Sequence, residues 1–315
     1  MIDYKSAEIL VAVVREGSSN AAANSLRLAP SAVRNAIRRL EDELQFPLLE
    51  KFGGRLCATP ELVALLPEFE TMERSLARVR KTAMELQTNE TRTLTIAALP
   101  SLASRVLPVL VERFMTDAPW AKLKLSIDGV EKRLLSGECD FGFTFEPFIH
   151  PEIEIRKIWT GQLVCVVTRG SPLWSGNGPV SIVDVIDNGL VGFSPRTSPF
   201  GREMQKAAEE AGRNYTPAIT ASHSITACAI AHACGMAAII DTLLLPDLDP
   251  DVYRWRELAP RIEVHAYVST LKGRLISREI ELFEKIVAGG GDIFSRSAKV
   301  NGKRRTYNRN DNSTK

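Results

Sequence analysis

The 315-residue sequence holds no run long enough to cross a bilayer: its apolar runs, such as residues 163–167 and 236–240, fall far short of the ~20 residues a spanning helix needs. Cysteine is sparse as well. The five, Cys57, Cys139, Cys165, Cys228 and Cys234, are odd in number and widely scattered, which excludes a disulfide framework and favours a reducing compartment. No basic stretch, apolar core and small-residue cleavage site follow Met1, so a secretory signal is missing and a cytoplasmic location is expected. Catalytic signatures are missing too. There is no glycine-rich phosphate loop, no G-x-S-x-G elbow and no paired-acid motif. Cys228 and His232 share a helix face, but Cys234 falls elsewhere, no C-x-x-C or H-E-x-x-H accompanies them, and small apolar residues surround them. Buried thiols and a capping His223 account for that group more simply, so no metal and no cofactor are expected.

At roughly 100–200 residues per domain the length allows two or three domains. Apolar residues make up 44% and charged residues 25%, ordinary globular usage that excludes wholesale disorder and a membrane bundle. Net charge is only +2, and it is unevenly placed. Residues 291–315 carry seven Lys and Arg against two Asp, a net of +5, so residues 1–290 carry 2 − 5 = −3. That Gly-, Asn- and Ser-rich end reads as a basic disordered tail.

Residues 1–59 read as short helices with tight connections. Ile9, Leu10, Val13 and Val14 form an apolar stripe, Gly17 closes the helix, and Ser18 stands where an N-cap belongs, ahead of Asn20 and a segment of small residues. After a turn at 27–29, Pro30 suits the first position of a helix over 30–44. Along it Val33, Ile37, Leu40 and Leu44 face one way, while Ser31, Arg34, Asn35 and Arg38 face the other. Two helices on a three-residue turn, the second presenting Arg and Asn, form the helix-turn-helix layout that enters a major groove, where Arg suits guanine and Asn adenine. An amphipathic surface helix with a solvated face is the plain alternative from periodicity alone.

Over residues 60–90, Leu62, Leu65, Phe69, Met72, Leu76, Val79, Ala83 and Leu86 repeat at alternating intervals of three and four, with charges of both signs beside them. This strict seam predicts a long helix paired with a second copy, interrupted only by Pro67, followed by a polar hinge at 88–92. Beyond it, strands at 94–98, 123–127, 141–145, 163–168, 190–193, 219–221, 236–240 and 263–269 alternate with helices at 103–115, 131–136, 201–211, 224–234 and 277–287. The expectation is an effector domain at 91–290 with two α/β lobes of mostly parallel sheet, lobe I from 91–161 and 265–290 and lobe II from 162–264. Ligands in such folds bind beyond the carboxyl ends of strands. The loops there hold Leu99, Pro100, Ser101, Leu102 and Ala103, then Gly129 and Val130, then Ser222 and His223; Phe145 and Thr197 complete the candidate set.

Ala22-Ala23 with Leu26, Ser31-Ala32-Val33, residues 37–44, Phe46-Pro47-Leu48-Leu49-Glu50 and Thr59-Pro60 together resemble the winged helix-turn-helix of LysR-type transcriptional regulators. The resemblance implies that residues 50–57 form the wing, with Lys51 and Arg55 along phosphates, and that the long helix pairs subunits into a dimer or tetramer on a palindromic site in double-stranded DNA. RNA polymerase is a further partner it allows. The fold it implies is an all-α winged helix-turn-helix, a linker helix and a bilobal periplasmic-binding-protein-like α/β domain. Residues 93–104, 222–224 and 237–241 are similar to the branch with the octopine and nopaline regulators, which implies a carboxylate or amino-acid-like effector. Two departures stand out. Ala29 and Pro30 replace a common Ser-Gln at the start of the recognition helix, with Arg34 where a small Ser is usual, which predicts an altered site preference; and residues 128–137 are about one helical turn short. The rival reading is a cytoplasmic small-molecule-binding protein or enzyme that carries a degenerate helix-turn-helix.

Overall fold

Three helices open the chain, and each stops where its capping residues dictate. α1 (Tyr4–Glu16) starts behind Asp3, whose carboxylate accepts from the Ser6 amide at 2.8 Å, and ends on Gly17 in the left-handed region. α2 (Ser19–Leu26) is capped by Ser18 and leaves through Arg27, held at φ 55°. α3 (Pro30–Leu44) begins on a proline, whose missing N–H costs nothing there. Glu41 of α3 then accepts from the amides of Leu48 and Leu49 at 2.8 and 3.3 Å, fixing where the next strand starts. That strand, β1 (Leu49–Phe52), pairs antiparallel with β2 (Arg55–Ala58) across Gly53 and Gly54, both at positive φ as a two-residue hairpin turn requires. This structure, a computed structural model, describes residues 3–88, 93–127, 129–175, 178–274 and 276–290; the basic tail and nearly all of the polar hinge expected from the sequence lie outside them.

α4 (Pro60–Thr88) opens on buried Thr59, whose hydroxyl donates to the Pro47 carbonyl at 2.9 Å and accepts from the Leu62 amide at 3.3 Å. The helix continues through Pro67. Its seam divides into two parts. Leu62 and Phe69 are buried with Ala7, Leu10, Leu40 and Leu48 in the core of the N-terminal unit, and Leu65 and Leu66 pack against them. Met72 and Val79 remain exposed. The expectation of one continuous seam for a partner helix is therefore corrected: the first turns face their own domain, and only the later positions are free of it. A second small core joins Ile9, Val13, Val33 and Ile37 to Ala22 and Ala23, whose small side chains let α2 lie close.

The main division of the chain falls between residues 90 and 91. Beyond it, β3 (Thr93–Ala98), α5 (Pro100–Arg105), α6 (Leu107–Asp117), β4 (Lys122–Ser126), α7 (Val130–Leu135) and β5 (Phe141–Thr144) build the first lobe. The helix expected over 103–115 is two, because Pro108 has no N–H to continue the first into the second. β6 (Ile153–Thr168) then crosses to the second lobe, made of β7 (Val180–Ser181), α8 (Ile182–Asp187), β8 (Leu190–Gly192), α9 (Pro199–Glu210), β9 (Ile219–Thr220), α10 (Ser224–Cys234), β10 (Ala237–Asp241) and β11 (Tyr253–Ala259). β12 (Glu263–Leu271) leads back, and α11 (Arg278–Ala288) closes the first lobe, its Phe283 ring 4.9 Å from Phe141 and 5.6 Å from Phe114.

All these strands lie in one ten-stranded sheet with the path β4-β3-β5-β12-β6-β10-β8-β9, off which β11 pairs with β6 and β7 pairs with β11. Within each lobe the pairs β3–β4, β3–β5, β8–β9 and β10–β8 are parallel, as expected. The joints are antiparallel. β6 pairs with β12 through its first part and with β10 and β11 through its second, so two strands knit the lobes together. Reading residues 153–162 as non-strand missed this, because that stretch alternates charged and apolar residues at a half-exposed position.

Candidate functional site

Two regions gather the residues singled out by the sequence. On α3, Val33, Ile37 and Leu40 are buried while Pro30, Ser31, Arg34, Asn35 and Arg38 are exposed, so the apolar side anchors the helix and the polar side is presented outward. Asn20 on α2 is exposed as well. Ser18 is not free in the same way: its hydroxyl accepts from the Ala21 amide at 3.5 Å and serves as the cap. On the hairpin, Lys51 and Arg55 are exposed, and the Leu56 amide donates to the Gly17 carbonyl at 3.1 Å, tying the wing to the end of α1. Among the described residues, none of Arg34, Arg38, Lys51 and Arg55 is drawn into an ion pair. Phe52, 78% exposed at the hairpin tip, was not singled out, because a lone phenylalanine in a short strand reads as core.

The second region is a cavity of about 100 Å³ between the lobes. Leu99, Pro100, Ser101 and Phe145 line it from the first lobe, and Phe193, Ser198, Pro199, Phe200, Ser222, His223 and Ser224 from the second. It therefore unites six of the candidate residues from sequence. Leu102 is instead fully buried in the core, with Ala103 packed against it, and Val130 is buried beside Gly142, where a Cβ would meet it at 2.7 Å. Gly129 and Thr197 are exposed and are not part of the lining. A wider hollow of about 360 Å³ lies over the start of β6 and the end of β12, with the charged Glu154, Arg156 and Glu284 in its wall and none of the candidate residues.

The apolar wall has internal order. The Phe145 and Phe200 rings lie 4.8 Å apart, and Phe193 meets Phe200 edge-on at 5.6 Å. Tyr215 holds the end of β8: its hydroxyl accepts from the Phe193 amide at 3.1 Å and donates to the Phe193 carbonyl at 3.0 Å, and burial pushes that hydroxyl up to about 12. Gly192 is needed beneath it, since a Cβ there would collide with the Tyr215 hydroxyl. Ion pairs join the lobes on either side, Arg105 with Asp247 at 2.7 Å and Arg202 with Glu146.

Under the polar side lies Asp241, at the end of β10 and wholly buried. Its carboxylate accepts from the Ser224 hydroxyl at 3.3 Å and from the Leu243 amide at 3.2 Å, and the nearby Ser101 hydroxyl favours its charged form. Burial raises its pKa from 3.8 to about 6, and these bonds oppose the rise. The capping role expected of His223 is thus corrected. His223 stands at the N-cap of α10 without a side-chain cap bond, and Ser224 spends its proton on Asp241. No helix among the described residues is long and apolar enough to cross a membrane.

Comparison with known proteins gives this geometry a family. Residues 4–61 match the bacterial regulatory helix-turn-helix protein, lysR family, and residues 87–290 match the LysR substrate binding domain. Regulatory protein NocR of Agrobacterium fabrum is 24% identical over 231 residues, 72% of this chain and 76% of NocR. The HTH-type transcriptional regulator DgcR of Pseudoalteromonas sp is 25% identical over 167 residues, 51% of this chain and 57% of DgcR, so the chain matches little more than half of that relative. Among solved structures, full-length CbnR complexed with its target DNA is similar with a TM-score of 0.60 at 21% identity, over 91% of this chain and 99% of CbnR. The chain belongs to the LysR family of bacterial transcriptional regulators, with a helix-turn-helix DNA-binding domain followed by a LysR substrate-binding domain.

Proposed function

We propose that this chain is a sequence-specific DNA-binding regulator controlled by a small molecule bound between the two lobes of its effector domain. The outward face of α3 carries this reading. Arg34, Asn35 and Arg38, exposed and anchored from behind by Val33 and Ile37, offer the donors and acceptors that base edges in a major groove require. Lys51 and Arg55 on the wing supply phosphate contacts, which position the protein without reading sequence. The likeness to CbnR, solved on its target DNA, supports the same docking.

Self-association belongs to this reading too. Met72 and Val79, exposed on α4 beyond the domain's own core, are the positions for a partner helix, so that two recognition helices address two half-sites. A dimer is the minimal unit, and a dimer of dimers extends it. The effector is small and amino-acid-like, in keeping with the match to NocR and with a cavity that offers hydroxyls at one side and phenylalanines at the other. Ligand acts only through a difference in affinity between two arrangements of the lobes.

Footprinting on the DNA upstream of the chain's own gene checks the proposal. The expected outcome is a protected, roughly palindromic site that is lost with Arg34→Ala. No protection, or protection indifferent to that substitution, refutes it and leaves the small-molecule-binding protein with an idle helix-turn-helix.

A further inference from the structure

Serines beside such a cavity would ordinarily donate to a ligand carboxylate. The buried carboxylate beneath it reverses that polarity. Asp241 has no exposed surface, and Ser224, itself buried, gives it its hydroxyl proton, while the buried Ser101 hydroxyl nearby favours its charged form. A serine hydroxyl has one proton and two lone pairs, so once the proton is committed inward only the lone pairs remain for the cavity. The Ser224 hydroxyl therefore meets a ligand as an acceptor.

The charge balance points the same way. Among the described residues, no Lys, Arg or His pairs with Asp241. An unpaired buried carboxylate is costly, and a cation arriving close to it recovers part of that cost, whereas an anion adds repulsion. The remaining wall agrees: Phe145, Phe193 and Phe200 line the same space, and phenylalanine rings attract cations at their faces. The size is that of one end of a molecule. About 100 Å³ equals the share of only about three waters at ~30 Å³ each.

We propose that the interlobe cavity takes the cationic amine end of the effector, held by the outward lone pairs of Ser224 above the Asp241 carboxylate. This rests on the interlobe cavity being the effector site. Asp241 is a positioning residue: it does not touch the ligand but sets which way the Ser224 hydroxyl points and which charge the cavity accepts. Exposed Ser222 and His223 at the mouth are left for the other end of the molecule.

The experiment uses two probes of equal length and opposite charge, n-butylammonium and butyrate, titrated into the full chain by calorimetry near neutral pH and repeated with Asp241→Asn, Ser224→Ala and Phe200→Ala. The expected result is binding of the amine about tenfold or more tighter than butyrate, the contribution of a charge-assisted hydrogen bond. Asp241→Asn and Ser224→Ala each erase that preference, and Phe200→Ala weakens binding of the amine. If Asp241→Asn fails to fold, Ser224→Ala carries the comparison. Charge preference separates this role from a purely structural one, which would weaken both probes alike. Butyrate favoured over the amine, with binding lost in Phe200→Ala, overturns the amine assignment while keeping the cavity as the effector site. Amine preference unchanged in Asp241→Asn and Ser224→Ala also overturns it. Neither probe binding up to its solubility limit overturns both.

Discussion

Asp241 makes a measurable demand on stability. Its pKa rises from 3.8 to about 6 because burial disfavours the charged form, with the serine and amide bonds only partly opposing it. The folded state therefore holds a proton at pH values where the unfolded chain has released it. Stability from this group is complete below the unfolded pKa and is lost as pH rises through about 6. A shift of about two pH units corresponds to about 3 kcal/mol. In urea melts between about pH 4 and 7, Asp241→Asn should remove that slope, gaining up to about 3 kcal/mol relative to the parent as pH rises. Parallel pH profiles for the two proteins would contradict the assignment. Gly192 offers a second check at this scale. Gly192→Ala forces a Cβ into the Tyr215 hydroxyl and should cost roughly 1–3 kcal/mol, partly recovered in the double variant with Tyr215→Phe. Additive losses in a double-mutant cycle would show that the two side chains do not meet.

Among the elements, α4 serves two tasks that its sequence presents as one. Its three-and-four repeat is continuous, yet Phe69 is buried in the N-terminal unit and Val79 is 62% exposed. Phe69→Ala should therefore destabilise the N-terminal unit by roughly 3–5 kcal/mol, the usual cost of emptying a buried phenylalanine site. Val79→Asp should leave the melting transition of that unit unchanged and weaken self-association, read by sedimentation. Equal effects of both on the fold would contradict the division. The same contrast explains what the sequence could and could not reveal. α3 was legible from end to end, because Pro30 starts it and Val33, Ile37, Leu40 and Leu44 mark one face within a single local element. β11 was missed, since Tyr253, Trp255 and Glu257 alternate with Arg254 and Arg256 in a half-exposed edge that looks like loop. The tie of Asp241 to Ser101 and Ser224 was illegible for a different reason. It joins residues from three separate elements and both lobes, and no local period encodes such a contact.

For the whole molecule, the effector domain closes its cavity with few attachments. β6 and β12 run through both lobes, and the ion pairs of Arg105 with Asp247 and Arg202 with Glu146 hold them together at the surface. Exposed pairs of this kind contribute little each, about 0–1 kcal/mol, which leaves the lobes able to respond to a ligand of modest affinity. Positive charge on the whole chain does not distinguish a DNA-binding protein here. The net of +2 comes from the last 25 residues, and residues 1–58 are nearly balanced with eight Lys and Arg against seven Asp and Glu. On the proposed reading, affinity for DNA comes from placement, with Arg34 and Arg38 on α3 and Lys51 and Arg55 on the wing. The most direct measurement is the affinity of the full chain for its upstream DNA across a series of salt concentrations, parent beside Arg34→Ala and Lys51→Ala. The account predicts a steep fall for the parent, a slope shallower by roughly one contact for Lys51→Ala, and loss of preference for the cognate site over unrelated DNA for Arg34→Ala. Binding that is insensitive to salt, or a cognate preference that survives Arg34→Ala, would contradict it.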